Sequence, residues 1–116
     1  MEFVMPSLII HTDQSLNNII EELDFKKIEE TLKQVFIKIL DAEEDKCQII
    51  WINSRIITSD YKIYCELKFR ETDYRNEFKR KDCLDNIGKI IKKIFKVKVR
   101  LRSFSINQST ITALDI

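Results

Sequence analysis

The 116 residues carry 44% hydrophobic and 34% charged side chains, with 20 Lys and Arg against 19 Asp and Glu for a net charge of +1. That hydrophobic content excludes a chain disordered by composition, and the length admits one domain with a single small core. The balanced charge supplies no global attraction to nucleic acid or membrane, and no apolar run reaches the ~18 residues of a membrane span.

A single glycine and a single proline point to regular elements joined by short connections. The N-terminus lacks a basic region followed by an apolar core, so it is no secretory signal, and a cytoplasmic location is expected. Cys47, Cys65 and Cys83 recur at intervals of 18 residues, with no CxxC and no neighbouring histidine. This spacing suits neither a zinc site nor a disulfide framework, and the three are expected as small buried hydrophobes in a reducing compartment.

In chain order, the lone proline Pro6 comes first, in Met5-Pro6-Ser7-Leu8-Ile9-Ile10-His11. The apolar run from Ser7 to His11 predicts a short buried strand. A methionine directly before Pro6 reads as a translation start. A chain begun at Met5 and stripped of that methionine exposes a secondary amine, whereas a chain begun at Met1 keeps the Pro6 nitrogen as an amide. Residues 1–5 are accordingly read as an extension or a misplaced start, and residues 6–116 as one domain.

Thr12 to Asn18 is polar and predicts a loop. Asp24 predicts a helix N-cap, followed by Ile28, Leu32, Val35, Phe36 and Ile39 at helical spacing. Glu29 and Lys33 stand four apart in the favourable order on the opposite face. The acidic run Asp41–Asp45 ends this helix.

Cys47 to Ile57, with Trp51, predicts a second strand. Ser59-Asp60 predicts a turn. From Tyr61 to Arg70 the pattern alternates, with Tyr61, Ile63, Cys65, Leu67 and Phe69 on one side. Glu77 to Phe95 predicts a second helix with Leu84, Ile87, Ile91, Ile94 and Phe95 inward. Gly88 within it costs about 1 kcal/mol relative to alanine and marks a close neighbour. Val97 to Ile106 predicts a fourth strand, and the last ten residues a short tail strand.

The order is strand–helix–strand, twice, with the halves offset by about 54 residues. The expected fold is α+β: two β-α-β units forming one four-stranded mixed sheet with both helices on one face. Ile49, Ile50 and Trp51 cannot all face the helices, so a second apolar sheet face is left, which calls for a partner subunit.

These features resemble the tautomerase superfamily, and within it the 5-carboxymethyl-2-hydroxymuconate isomerase family. The likeness lies in Pro6–Ile10, the Trp51 strand, Asp60-Tyr61, Leu67-Lys68 followed by Arg75 and Arg80, Phe95, and Ser103–Ile106. It spans residues 6–108 as a scattered pattern. The resemblance implies a homotrimer and a cofactor-free, metal-free isomerase of aromatic-compound catabolism. Such an enzyme moves a proton in a small unsaturated keto acid or diacid.

It also implies the site: Pro6 as catalytic base, with Lys46 and Arg75 binding the anionic substrate. Lys46 stands where the family has an arginine, keeping the charge without the bidentate fork. His11 stands where an acidic residue is usual.

Chemistry fits these roles. Moving a proton alpha to a carbonyl needs a base near neutrality and positive charge at the developing enolate. A free α-amino group titrates at about 7.7–8.0, and burial or nearby cations lower that value.

Other readings stay open. Pro6 also suits the start of any strand, Arg75 a solvated helix start, Lys46 a loop, and Trp51 and Tyr64 packing. A non-catalytic protein of the same fold, with Pro6 internal, is the alternative. A nucleic-acid module rests on the acid-free stretch from Lys89 to Arg102, but the strands hold no aromatic cluster with glycines of the kind that stacks RNA bases. No nucleic-acid partner is therefore expected.

Overall fold

A computed structural model describes residues 6–57 and 59–116. The reading of residues 1–5 lies outside the described residues. The strands are β1 (Ser7–Asp13), β2 (Gln48–Ser54), β3 (Ile63–Arg70) and β4 (Val99–Ile106). The helices are α1 (Asn17–Ile20), α2 (Phe25–Leu40) and α3 (Glu77–Phe95).

The sheet order is β2-β1-β3-β4. β1 runs parallel to β2, β3 runs parallel to β4, and the central pair β1–β3 is antiparallel. The two β-α-β halves thus meet head to tail along β1 and β3. The expected four-stranded mixed sheet is the one observed.

Alternation along the strands decides which side chains face the helices. Leu8, Ile10, Ile63, Cys65, Leu67 and Phe69 are buried from the sheet, against Leu32, Phe36 and Leu40 of α2 and Cys83, Ile87, Ile91 and Phe95 of α3. Asp24 caps α2 by accepting from the Lys27 amide, and Asn76 caps α3 through the Lys79 amide. Glu29 and Lys33 form the expected pair at 2.8 Å. Both helices end on a non-glycine residue in the left-handed region, Asp41 and Lys96, a feature the two halves share.

Gly88 has its close neighbour. A Cβ there would lie 3.1 Å from Leu101 Cδ1, so the missing side chain lets α3 approach β4.

Five local expectations are corrected. β1 continues through Thr12 to Asp13, because the buried Thr12 accepts from Trp51 Nε1 at 3.0 Å. The segment after it is a 3-10 turn and α1 rather than a loop throughout. β2 is confined to Gln48–Ser54 because its one strand partner among the described residues, β1, pairs from Ser7–Gln48 to Asp13–Ser54. The C-terminal tail forms a 3-10 turn at Gln108–Thr110, capped by Asn107, and no strand. Tyr61 precedes β3 and does not continue its inner row; its ring lies beneath Arg100.

The helix-free side of the sheet has two characters. Ile9, Ile50 and Ile52 make its β2–β1 half aliphatic, with Ile50 and Ile52 36% and 37% exposed. Glu66 and Lys68 of β3 and Arg100 and Arg102 of β4 make the other half charged. Trp51 is on the helix side, edge-on to Phe25 and tilted against Phe95.

Candidate active site

The pairing pattern brings the starts of β1 and β2 and the end of β3 to one end of the sheet. Pro6 stands there, fully buried, and its carbonyl accepts from the Gln48 amide at 3.0 Å. Two residues before Gln48, Lys46 closes a 3-10 turn and pairs with Glu43 at 3.2 Å. Between them Cys47 is buried, with its thiol directed to the Glu43 carbonyl. Arg75 acts electrostatically on Cys47 from the loop before α3. Pro6, Lys46 and Arg75 therefore gather at one end.

Arg75 is not a free surface cation. Its Nε donates to the Leu40 carbonyl at 2.9 Å and its Nη1 to the Arg70 carbonyl at 3.3 Å. A cation beside the start of α3 opposes that helix's dipole, yet this guanidinium reaches the C-terminal end of α2, where positive charge is favourable. Burial, and the nearby Arg70, lower its pKa, though a guanidinium keeps its charge at any physiological pH. Of its five N–H groups, two are committed to these carbonyls and three remain for a ligand.

The cysteines carry no nucleophile. Burial pushes the Cys65 and Cys83 thiols up to about 12 and raises Cys47 as well, so all three stay protonated near neutrality. Among the described residues no group of three or more His, Cys, Asp or Glu is placed to hold a metal. No described helix is long and apolar enough to cross a membrane.

At the opposite end, where β1 and β2 finish and β3 begins, the polar groups bond one another. Asp13 accepts from the Ser15 and Ile56 amides at 3.0 and 2.8 Å. Hydrogen bonding from the Ser15 side chain, then these two amide bonds, and last the charge of Lys62 lower its pKa from 3.8 to about 2. His11 Nδ1 lies 3.2 Å from Ser54 Oγ, and its ring stacks on Tyr64. This cluster was missed in the sequence because its members come from four separate segments; the cation-rich stretch at Lys98–Arg100 was the only signal.

That stretch does not form one basic surface. Lys89, Lys92, Lys93 and Lys96 are exposed residues on and just after α3, whereas Arg100 and Arg102 project from the sheet's uncovered face.

Solved structures share the architecture. A member of the cis-3-chloroacrylic acid dehalogenase family superposes with a TM-score of 0.72 at 14% identity, covering 93% of this chain and 80% of that one. A fused 4-OT wild-type asymmetric trimer gives 0.72 at 12%, covering 93% and 92%. Pt0534 inactivated by 2-oxo-3-pentynoate gives the same score, identity and coverage. No protein-family model matches the sequence, and a search of curated proteins finds no match. At such low identities the fold is what is shared.

Proposed function

We propose that this protein is a cofactor-free isomerase of the tautomerase kind, active in a form that begins at Pro6. The observation that carries the reading is the placement of Pro6 at the head of β1, in the same sheet end as Lys46 and Arg75, within this fold. In that form the Pro6 secondary amine removes a proton from the carbon alpha to the substrate carbonyl and returns it to a second carbon. Lys46 and the three uncommitted N–H groups of Arg75 hold the carboxylate and the developing enolate oxygen. The substrate class is a small unsaturated keto acid or diacid of the 5-carboxymethyl-2-hydroxymuconate type.

The assembly proposed is a homotrimer. Ile9, Ile50 and Ile52 form an aliphatic strip on a sheet face that no element among the described residues covers, and burying it between subunits removes that apolar area from water. The fused 4-OT neighbour is itself a trimer.

The test compares the 116-residue chain with one cleaved to start at Pro6, each assayed for phenylenolpyruvate ketonisation. The shortened chain is expected to be active, with kcat/KM falling about 10²–10⁴-fold in Pro6→Ala. The longer chain, whose Pro6 nitrogen is an amide, is expected to be inactive. Activity unchanged by Pro6→Ala overturns the assignment.

The second reading is a non-catalytic protein of this fold. What favours it is the covalent state of Pro6 in the 116-residue chain, together with the two backbone bonds that engage Arg75. Inactivity of the Pro6-initiated chain, with the trimer intact, would establish it.

A further inference from the structure

At the end of the sheet remote from Pro6, the uncovered face opens into a depression of about 460 Å³, lined by His11, Ser54, Ile56, Tyr61, Tyr64 and Arg100. We propose that this depression is a second ligand site, one that takes a small planar carboxylate.

Its volume falls within the ~300–1,000 Å³ of small-molecule pockets, and its walls match their usual makeup: mostly apolar, with a few convergent polar groups. Arg100 supplies the charge. Its guanidinium carbon sits 4.4 Å from the Tyr61 ring centroid, and Lys98 Nζ lies 5.8 Å from the same ring. Among the described residues Arg100 donates to no protein acceptor and forms no ion pair, so its fork is open to a carboxylate. Resting on Tyr61 restricts the arginine, which reduces the side-chain ordering cost that binding otherwise carries.

The nearby acidic groups are occupied elsewhere. Asp13 is held by the Ser15 and Ile56 amides, and Glu66 accepts from the Tyr64 hydroxyl at 3.2 Å. The Tyr64 ring, stacked on His11, and the Ile56 side chain offer flat apolar walls to the body of the ligand. The His11–Ser54 pair offers hydrogen bonds at its far edge.

Topology explains why such a site exists. β1 and β3 are antiparallel, so the start of each β-α-β half lies at an opposite end of the sheet. Pro6 heads β1 at one end, and Tyr61 precedes β3 at the other. Each has a lysine and an arginine nearby: Lys46 and Arg75 at the first, Lys98 and Arg100 at the second.

The probe is benzoate, titrated into the ¹⁵N-labelled 116-residue chain, with neutral benzamide as control. The expected result is a saturable set of amide shifts centred on His11, Ser54, Tyr61 and Tyr64, with Kd in the millimolar range. At least tenfold weaker binding is expected for benzamide and for Arg100→Gln. Equal affinity for benzamide and benzoate in the unaltered protein overturns the proposal without any variant. So do amide shifts centred on Ser7, Lys46 and Arg75, or an Arg100→Gln protein that is folded and binds as before. Because the 116-residue chain is used, failure of the isomerase reading leaves this result unaffected.

Discussion

Pro6 and Tyr61 stand at the heads of the two halves, and their surroundings differ. Around Pro6 the sheet end is closed by buried Phe69, Leu67, Cys47 and Leu40, and its arginine is anchored on the carbonyls of Leu40 and Arg70. Around Tyr61 the end is held by polar bonds of Thr12, Asp13, His11 and Lys62, and its arginine lies over an aromatic ring with no protein acceptor among the described residues. One topology therefore yields a dry end and a wet end. What differs is the residue type at matching places: both ends carry cations, but only the dry end adds burial in apolar surroundings to the positive charge that depresses an amine's pKa.

Core truncation is the harshest way to break this contrast. Phe69→Ala at the Pro6 end should cost about 3–5 kcal/mol, since a fully buried aromatic leaves a cavity. Tyr61→Ala should cost no more than about 1 kcal/mol, the scale of an exposed cation–π contact. Urea unfolding of both variants measures the gap, and similar losses would dissolve the distinction.

A smaller effect is expected at Thr12. Thr12→Val leaves the half-buried Trp51 Nε1–H without its acceptor, for a loss of about 1–3 kcal/mol. Trp51 is the only tryptophan, so the change in its fluorescence reports the lost bond directly.

Acid should weaken the polar end selectively. Asp13 has a folded pKa lowered from 3.8 to about 2, so its contribution is fully present above the unfolded value. That contribution is lost as pH falls from about 3.8 through about 2. Thermal melts across that window should show the gap between the unaltered protein and Asp13→Asn narrowing. A gap constant with pH would mean that the charge of Asp13 does not matter.

The mildest test concerns Gly88. Gly88→Ala gains up to about 1 kcal/mol of helix propensity but presses on Leu101 Cδ1 at 3.1 Å, so the net change should be smaller than that gain. In a Leu101→Ala background the same substitution should be more stabilising. Identical effects in both backgrounds would show that Leu101 is not the neighbour Gly88 accommodates.

The sequence by itself determined the elements that local periodicity and capping specify. The helix at Glu77–Phe95 is found where the apolar spacing places it, Asp24 caps α2, and the alternation from Ile63 to Phe69 puts those residues in the core. Each of these depends on neighbours a few residues away. The two-fold strand–helix–strand order also made the mixed sheet and its uncovered face legible.

The tertiary structure alone decided the contacts whose partners lie far along the chain. Arg75 meets the Leu40 carbonyl across 35 residues, and Trp51 meets Thr12 across 39. Tyr61 turns beneath Arg100, away from the inner row that its alternation suggested. In each case the partner is set by strand register and by where a helix end comes to rest, and neither is encoded within a short window of residues. The Pro6 end could thus be named from its residue types and a resemblance, while the site at the Tyr61 end appeared only once four separate segments were brought together.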